Sequence, residues 1–346
     1  MVLLCVFKKI ITHSAVLLLC IWVCGQTASA EPDARKQFND EYWSIQLEND
    51  FFASSGDRYY THGTLISLLL MEEPPEWLKG ISQFFPAYHT DGIITSVNYT
   101  IGQKIFTPKD TNSAVFIEND RPYAGYLYTS AALLSRVGKN NLFETGNLLE
   151  FTIGVVGPIA SGKEAQTSFH DLIGIDSPKG WNNQLHNELG LGFSYSRFWR
   201  VIQPASDSLD VSIIPQLTAA VGNIYTYAAA GAMFRLGTHL NNDLSPPNIK
   251  PGFPGIPLFI VKKQHSWYFF AGAETRIIGR NLFLDGNTFQ ASHSVEKELI
   301  VGDIQFGFVF RVGNLRLSLS NMHRTKEYKT QKDDTHYGAV NISIAM

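Results

Sequence analysis

Trp43-Ser44-Ile45-Gln46-Leu47 alternates apolar and polar side chains and runs straight into Glu48-Asn49-Asp50. Alternation with period two puts Trp43, Ile45 and Leu47 on one face of a strand and Ser44 and Gln46 on the other. The same rhythm recurs along the chain. Val97, Tyr99 and Ile101 keep it, as do Phe151, Ile153 and Val155, then Phe193 with Tyr195, and Val211 with Ile213 toward Leu217. Trp267 to Ile277, Phe306-Phe308-Phe310, Leu315-Leu317-Leu319 and Val340-Ile342-Ile344 continue it. With Thr61 to Leu70, Tyr126 to Ser135 and Tyr227 to Leu236, about twelve strands are expected. Each is near the roughly 9–11 residues that a tilted membrane strand needs. The fold class read from this is all-β: an antiparallel transmembrane barrel with an even strand number.

Composition agrees without deciding. Mean hydropathy is -0.04, and beyond residue 30 no apolar run is long enough for a membrane helix. A lipid-facing barrel averages out in this way, and so does a β-sandwich that never meets a membrane. Aromatics make up 12% and cluster at strand ends (Trp43, Tyr59, Tyr60, Tyr123, Tyr126, Tyr128, Trp267, Tyr268), as girdles at two membrane interfaces would require. A packed β-core would use the same residues. The chain ends on Met346, where many barrels end on an aromatic.

The first 30 residues have the form of a cleaved export signal. Lys8 and Lys9 supply positive charge, Ile10 to Gly25 is nearly all apolar, and Ala28-Ser29-Ala30 offers small residues for cleavage after Ala30. The apolar core is short for a spanning helix, and Leu19 before Cys20 argues against a lipoprotein. Residues 31–346 are then a single barrel domain, destined for the cell outer membrane. Cys5, Cys20 and Cys24 all fall inside the signal. The exported chain thus has no disulfide, thiolate metal site or cysteine nucleophile. Losing Lys8 and Lys9 leaves 26 basic against 31 acidic residues, a net charge of -5, with no basic excess for nucleic acid.

Three stretches break the strand rhythm. Met71 to Gly92 reads as a long loop with a short helix, and Asn241 to Gln264 as an extended Pro- and Gly-rich loop. The third, Gly157 to Trp181, contains Ser161 to Ile173 (SGKEAQTSFHDLI), which reads as one short helix ended by Gly174. Gln166 and His170 are four apart and share its face, with Asp176 just beyond. A histidine near a carboxylate, on a helix set into a barrel rim, is a candidate general base. A hairpin of the first two strands brings Asn49, Asp50 and Thr61 to one rim. Their oxygens suit Ca²⁺, or Asx hydrogen bonds that cap a turn. Trp181 to Glu188 (WNNQLHNE) is dense in amides, which can line a wet lumen. G-x-S-x-G, H-E-x-x-H and a phosphate-binding Gly-rich loop are all missing.

These clusters, in this order, resemble the outer-membrane lipid A 3′-O-deacylase family. The matching pieces are END at 48–50, DRYYTHG at 57–63, DRPYAG at 120–125, GVVGP at 154–158, Gln166 with His170, and GWNNQLHNELG at 180–190. No one piece is specific; their joint order and spacing are, from about Tyr42 to the C-terminus. The resemblance implies a barrel of about twelve strands with the active site between the wall and a short helix inset near the outer rim. It implies Ca²⁺-dependent hydrolysis of the 3′-linked acyl ester of lipid A in lipopolysaccharide. His170 would be the base, with Asn49, Asp50, Thr61 and Gln166 in the site. Asp176 stands where the family carries a glutamate, and could either orient His170 or bind the metal. The family's archetype has a lysine where this chain has Ser113, with Lys104 and Lys109 nearby as possible substitutes. Competing readings are another outer-membrane acyl hydrolase of phospholipase type, a passive porin, and a periplasmic β-protein. A closed barrel has no edge that demands a partner, so a monomer is expected.

Overall fold

The computed structural model describes residues 38–346 apart from 53–57, 74, 83, 85–93, 141–142, 207 and 246–255. The expected signal, its cleavage after Ala30, the three cysteines and Asp57 lie outside the described residues. Twelve strands follow in order: β1 Glu41–Asn49, β2 Tyr59–Leu70, β3 Ile94–Thr107, β4 Ala124–Asn140, β5 Phe143–Val156, β6 Glu188–Pro204, β7 Asp210–Gly222, β8 Tyr225–Gly237, β9 Lys262–Asn281, β10 Ile300–Gly313, β11 Leu315–Arg324 and β12 Thr335–Ala345. Each pairs antiparallel with its chain neighbours, and β1 pairs with β12 to close the barrel. All twelve expected strands are present. Several are longer than the membrane requires, β9 reaching 20 residues. Lys262 to Gln264 belong to β9 rather than to the preceding loop.

The alternation in β1 sorts its side chains as the pattern demands. Tyr42, Ser44, Gln46 and Glu48 are buried inside, while Trp43, Ile45 and Leu47 are each about 40% exposed outside. A belt of such residues, with Ile101, Phe151, Phe269 and Phe306 among them, would be costly in water and suits hydrocarbon. Inside, polar groups satisfy one another. Asn341 Nδ2 donates to Ser44 Oγ at 2.8 Å, and Glu144 pairs with Arg136 and Arg200.

Inward-folded segments occupy part of the lumen. The described part of the β8–β9 connection folds inward, burying Leu240, Leu244, Ile256, Leu258 and Phe259. Asp243 lies at its centre and accepts from Tyr268 Oη and Arg316 Nε, each at 3.0 Å. Burial alone would raise the Asp243 carboxyl, but Arg316, Arg235 and Arg311 outweigh it and hold it well below the usual carboxylate range. Its stabilising contribution is therefore complete above an unfolded value of about 3.9 and is lost only as pH falls through the lower folded one. At the other end Phe283 stacks on Phe106 at 4.2 Å. The reconstituted protein is expected to pass no steady ionic current in a planar bilayer at pH 7 or pH 5. Open-channel conductance at either pH would revive the porin reading.

Candidate active site

The outer face of the wall, rather than the lumen, carries the expected residues. Asn49 on β1 pairs with His62 on β2, His62 with Ile105 on β3, and Ile105 with Gly125 on β4. Cross-strand partners share a face, and their chain neighbours Glu48 and Lys104 point inward. This row therefore faces out, yet the helix Gly162–Ile173 covers it. Gly162, Gln166 and His170 form the buried stripe of that helix, spaced four apart on one side. Gly174, with φ of 71°, ends it in the left-handed conformation that glycine adopts freely.

The helix runs across the strands. Gly162 lies against Gly125, where a Cβ on Gly162 would sit 2.9 Å from the Gly125 Cα and 2.9 Å from the Trp181 ring. Ala165 packs with Ile105, Tyr123 and Trp181. The Phe169 ring is 5.9 Å from that of His62. Seven residues of helix advance about 10 Å, close to the two strand spacings of about 4.8 Å between β4 and β2. The helix thus delivers His170 toward the β1–β2 rim that bears Asn49, Asp50 and Thr61.

His170 is 4% exposed. Its Nδ1 lies 2.7 Å from the main-chain oxygen of Asp176. A carbonyl only accepts, so Nδ1 carries a proton toward Asp176, and Nε2 is the nitrogen that a general base would use. The contact comes from the Asp176 backbone, while its carboxylate is exposed. Gln166 Oε1 accepts from Trp181 Nε1 at 2.9 Å. The Trp181 ring packs at a tilt against that of Tyr123, with centroids 5.1 Å apart. Within the 181–188 segment, Trp181 therefore supports the helix.

At the rim, Asp50 is fully buried, with Thr61 and Asn49 nearly so. Asp50 Oδ2 accepts the Arg58 N–H at 2.7 Å, so the turn-capping bond weighed from the sequence is present. Thr61 and Thr107 join hydroxyl to hydroxyl at 2.8 Å, and Asn49 Nδ2 is 3.5 Å from His62 Nδ1. This donor set is all oxygen, with one carboxylate, an amide and hydroxyls, and suits a hard cation such as Ca²⁺. Among the described residues no group of three or more His, Cys, Asp or Glu is arranged to hold a metal ion by itself, so a cation at this rim would complete its shell with neutral oxygens.

Lys104 cannot serve the site. It projects into the lumen over the Tyr128 ring at 5.0 Å, beside an internal cavity of roughly 130 Å³ that also meets Glu150, Arg276 and Arg324. The wall separates this cavity from His170. Lys109 is engaged with Asp333 at 2.5 Å. Ser113 Oγ accepts from the Val115 N–H at 3.2 Å.

The DRPYAG stretch acts as a clamp. The Asp120 carboxylate accepts from the Lys109 and Arg121 amides and from the Tyr328 hydroxyl. Arg121 pairs with Glu327 at 3.2 Å, and the Tyr123 carbonyl accepts from the Leu185 N–H at 2.9 Å. Gly125 then meets the helix. His62, Thr107, Trp181 and the Gly125–Gly162 approach were not assigned roles from the sequence. Period-two parity alone could have placed His62 beside Asn49.

The family model for the outer membrane protein LpxR matches residues 14–346. The chain belongs to the LpxR family. This is the lipid A 3′-O-deacylase family that its motifs resemble, and the protein is accordingly an outer-membrane protein. LpxR from Salmonella typhimurium has the same fold: 22% identity and a TM-score of 0.72, over 88% of this chain and 100% of that one. The β domain of the Bordetella autotransporter Brka, at 7% identity and a TM-score of 0.46, covers 89% of this chain and 100% of that one, a likeness too slight to argue from. No curated protein matches the sequence.

Proposed function

We propose that this LpxR-family protein hydrolyses the 3′-linked acyl ester of lipid A, releasing an acyl or acyloxyacyl chain, with His170 as general base and Ca²⁺ as cofactor. The observation that supports this best is a buried histidine, its Nδ1–H held by a main-chain carbonyl, on a helix laid over the lipid-facing side of the wall. A lipid substrate reaches such a site from within the membrane. His170 Nε2 takes a proton from water as its oxygen bonds to the ester carbonyl carbon. The carbon–oxygen bond to the sugar then breaks, and the proton passes from Nε2 to the departing 3′-oxygen. The products are a carboxylic acid and a free 3′-hydroxyl. Gln166, held by Trp181, and Asn49 at the rim position the ester. Asp50 and Thr61 would hold Ca²⁺, which when bound supplies positive charge for the carbonyl oxygen. A closed barrel exposes no strand edge, so the protein acts as a monomer.

Mass spectrometry of lipid A from cells with and without the protein tests the reading. Loss of the 3′ chain is expected. Unchanged lipid A together with glycerophospholipid hydrolysis would favour the phospholipase alternative. Excess EDTA is expected to silence the enzyme and Ca²⁺ to restore it, while Asp50→Asn should raise the Ca²⁺ needed for half activity at least about tenfold. Full turnover in EDTA would remove the metal from the scheme.

A further inference from the structure

A second group of metal-ligating side chains lies on β11 and β12, strands that carry none of the residues placed in the candidate active site. His323 and His336 are cross-strand partners. Their neighbours Met322 and Tyr337 are buried inside, so both imidazoles project from the outer face. The rings are 4.4 Å apart, and His323 Nδ1 lies 3.2 Å from each ring nitrogen of His336. The other nitrogen, His323 Nε2, lies 3.2 Å from Asp334 Oδ2. A ring proton on Nε2 would face this carboxylate and leave the Nδ1 lone pair on the side of His336. This is the arrangement of a carboxylate–histidine–metal triad, in which the outer carboxylate fixes the tautomer of the ligand.

The spacing fits one shared ion. With metal–nitrogen bonds of about 2.05 Å, nitrogens 3.2 Å apart subtend about 100° at the metal, close to a tetrahedral angle. A small rotation of the His336 ring selects which nitrogen takes part. We propose that His323 Nδ1 and His336 bind a late first-row divalent cation of the Zn²⁺, Ni²⁺ or Cu²⁺ class, with Asp334 orienting His323 and water filling the other positions. Imidazole nitrogen selects these ions over Ca²⁺, so this site and the all-oxygen rim at Asp50 divide hard from borderline cations. The strand register places His336 two residues beyond Gly338, the partner of Asn49, about 7 Å further along the wall. Nothing in the assignment depends on the deacylase reading.

The test uses the barrel folded in detergent without an affinity tag, with Zn²⁺ titrated against a chromogenic chelator. One saturable equivalent is expected for the wild type and for His170→Ala. His323→Ala and His336→Ala should each lose it, and Asp334→Asn should keep the stoichiometry with roughly tenfold weaker binding. Heat-modifiable migration on a gel verifies that each variant is folded. A wild type that takes up no saturable Zn²⁺ would overturn the proposal. So would an equivalent that survives in the folded His323→Ala/His336→Ala double variant. As a second measurement, Cu²⁺ bound to the wild type should give an electron paramagnetic resonance spectrum with two imidazole nitrogens; a spectrum with none overturns the assignment.

Discussion

Replacing His170 by alanine is expected to lower lipid A deacylation by about 10²–10⁴-fold, the usual contribution of a positioned base, and to leave a folded barrel. The side chain is buried between helix and wall, so its removal opens a small gap, but none of the twelve strand pairings involves it. Barrel closure rests on the β1–β12 ladder and the segments folded into the lumen, both distant in the chain from residue 170. Heat-modifiable gel migration and circular dichroism should match the wild type, with the loss seen in the released acyl product. A His170→Ala protein with full turnover would exclude His170 as the base. A variant that fails to fold would leave His170→Gln, close in volume to imidazole, to carry the same test.

The second large effect is expected at a position with no side chain. Gly162→Val should reduce turnover about 100-fold, the loss that misplacement by about an ångström can cause. The methine carbon alone would press on the Gly125 backbone and the Trp181 ring, both at 2.9 Å. Neither neighbour is a flexible tip that can swing aside, so the helix must lift from β4, and Gln166 and His170 move with it. Helix propensity does not explain the loss, since glycine is the poorer helix former by a few tenths of a kcal/mol to about 1 kcal/mol. Lys163→Ala, one residue on and exposed, is the control and should be near wild type. Wild-type turnover in Gly162→Val would mean that the close approach does not hold the site together.

Sequence reading reaches far into this fold because the wall faces lipid on one side and polar groups on the other. That contrast writes itself into WSIQL at 43–47 and its eleven counterparts. The inset helix is equally legible, since Gly174 marks its end and the i, i+4 spacing puts Gln166 and His170 on one face. What periodicity misses is where the register shifts. Counting by twos back from Leu70 would turn Tyr60 outward. The irregularity between Tyr60 and His62 instead turns Tyr60 inward to Glu48 and leaves Thr61 bonded to Thr107. Main-chain roles are hidden as well. Asp176 drew notice for its carboxylate, but its carbonyl holds His170. The amide-rich 181–188 stretch reads as lumen lining, and the bond from Trp181 to Gln166 does not show in that reading, because it is set by a turn rather than by any repeat.

The outward-facing row from Asn49 to Gly125 carries a consequence for how such a catalyst must be assayed. On the proposed reading, a site reached from the bilayer samples a two-dimensional solution, so the quantity that would govern its saturation is the mole fraction of lipid A among surrounding lipids, not moles per litre. Adding neutral detergent or phospholipid at constant bulk substrate dilutes the surface and slows encounter, whereas enlarging the aqueous volume leaves the surface composition intact. The leaflet would then be both solvent and substrate reservoir for this barrel, and its composition would enter the rate alongside the residues on the wall.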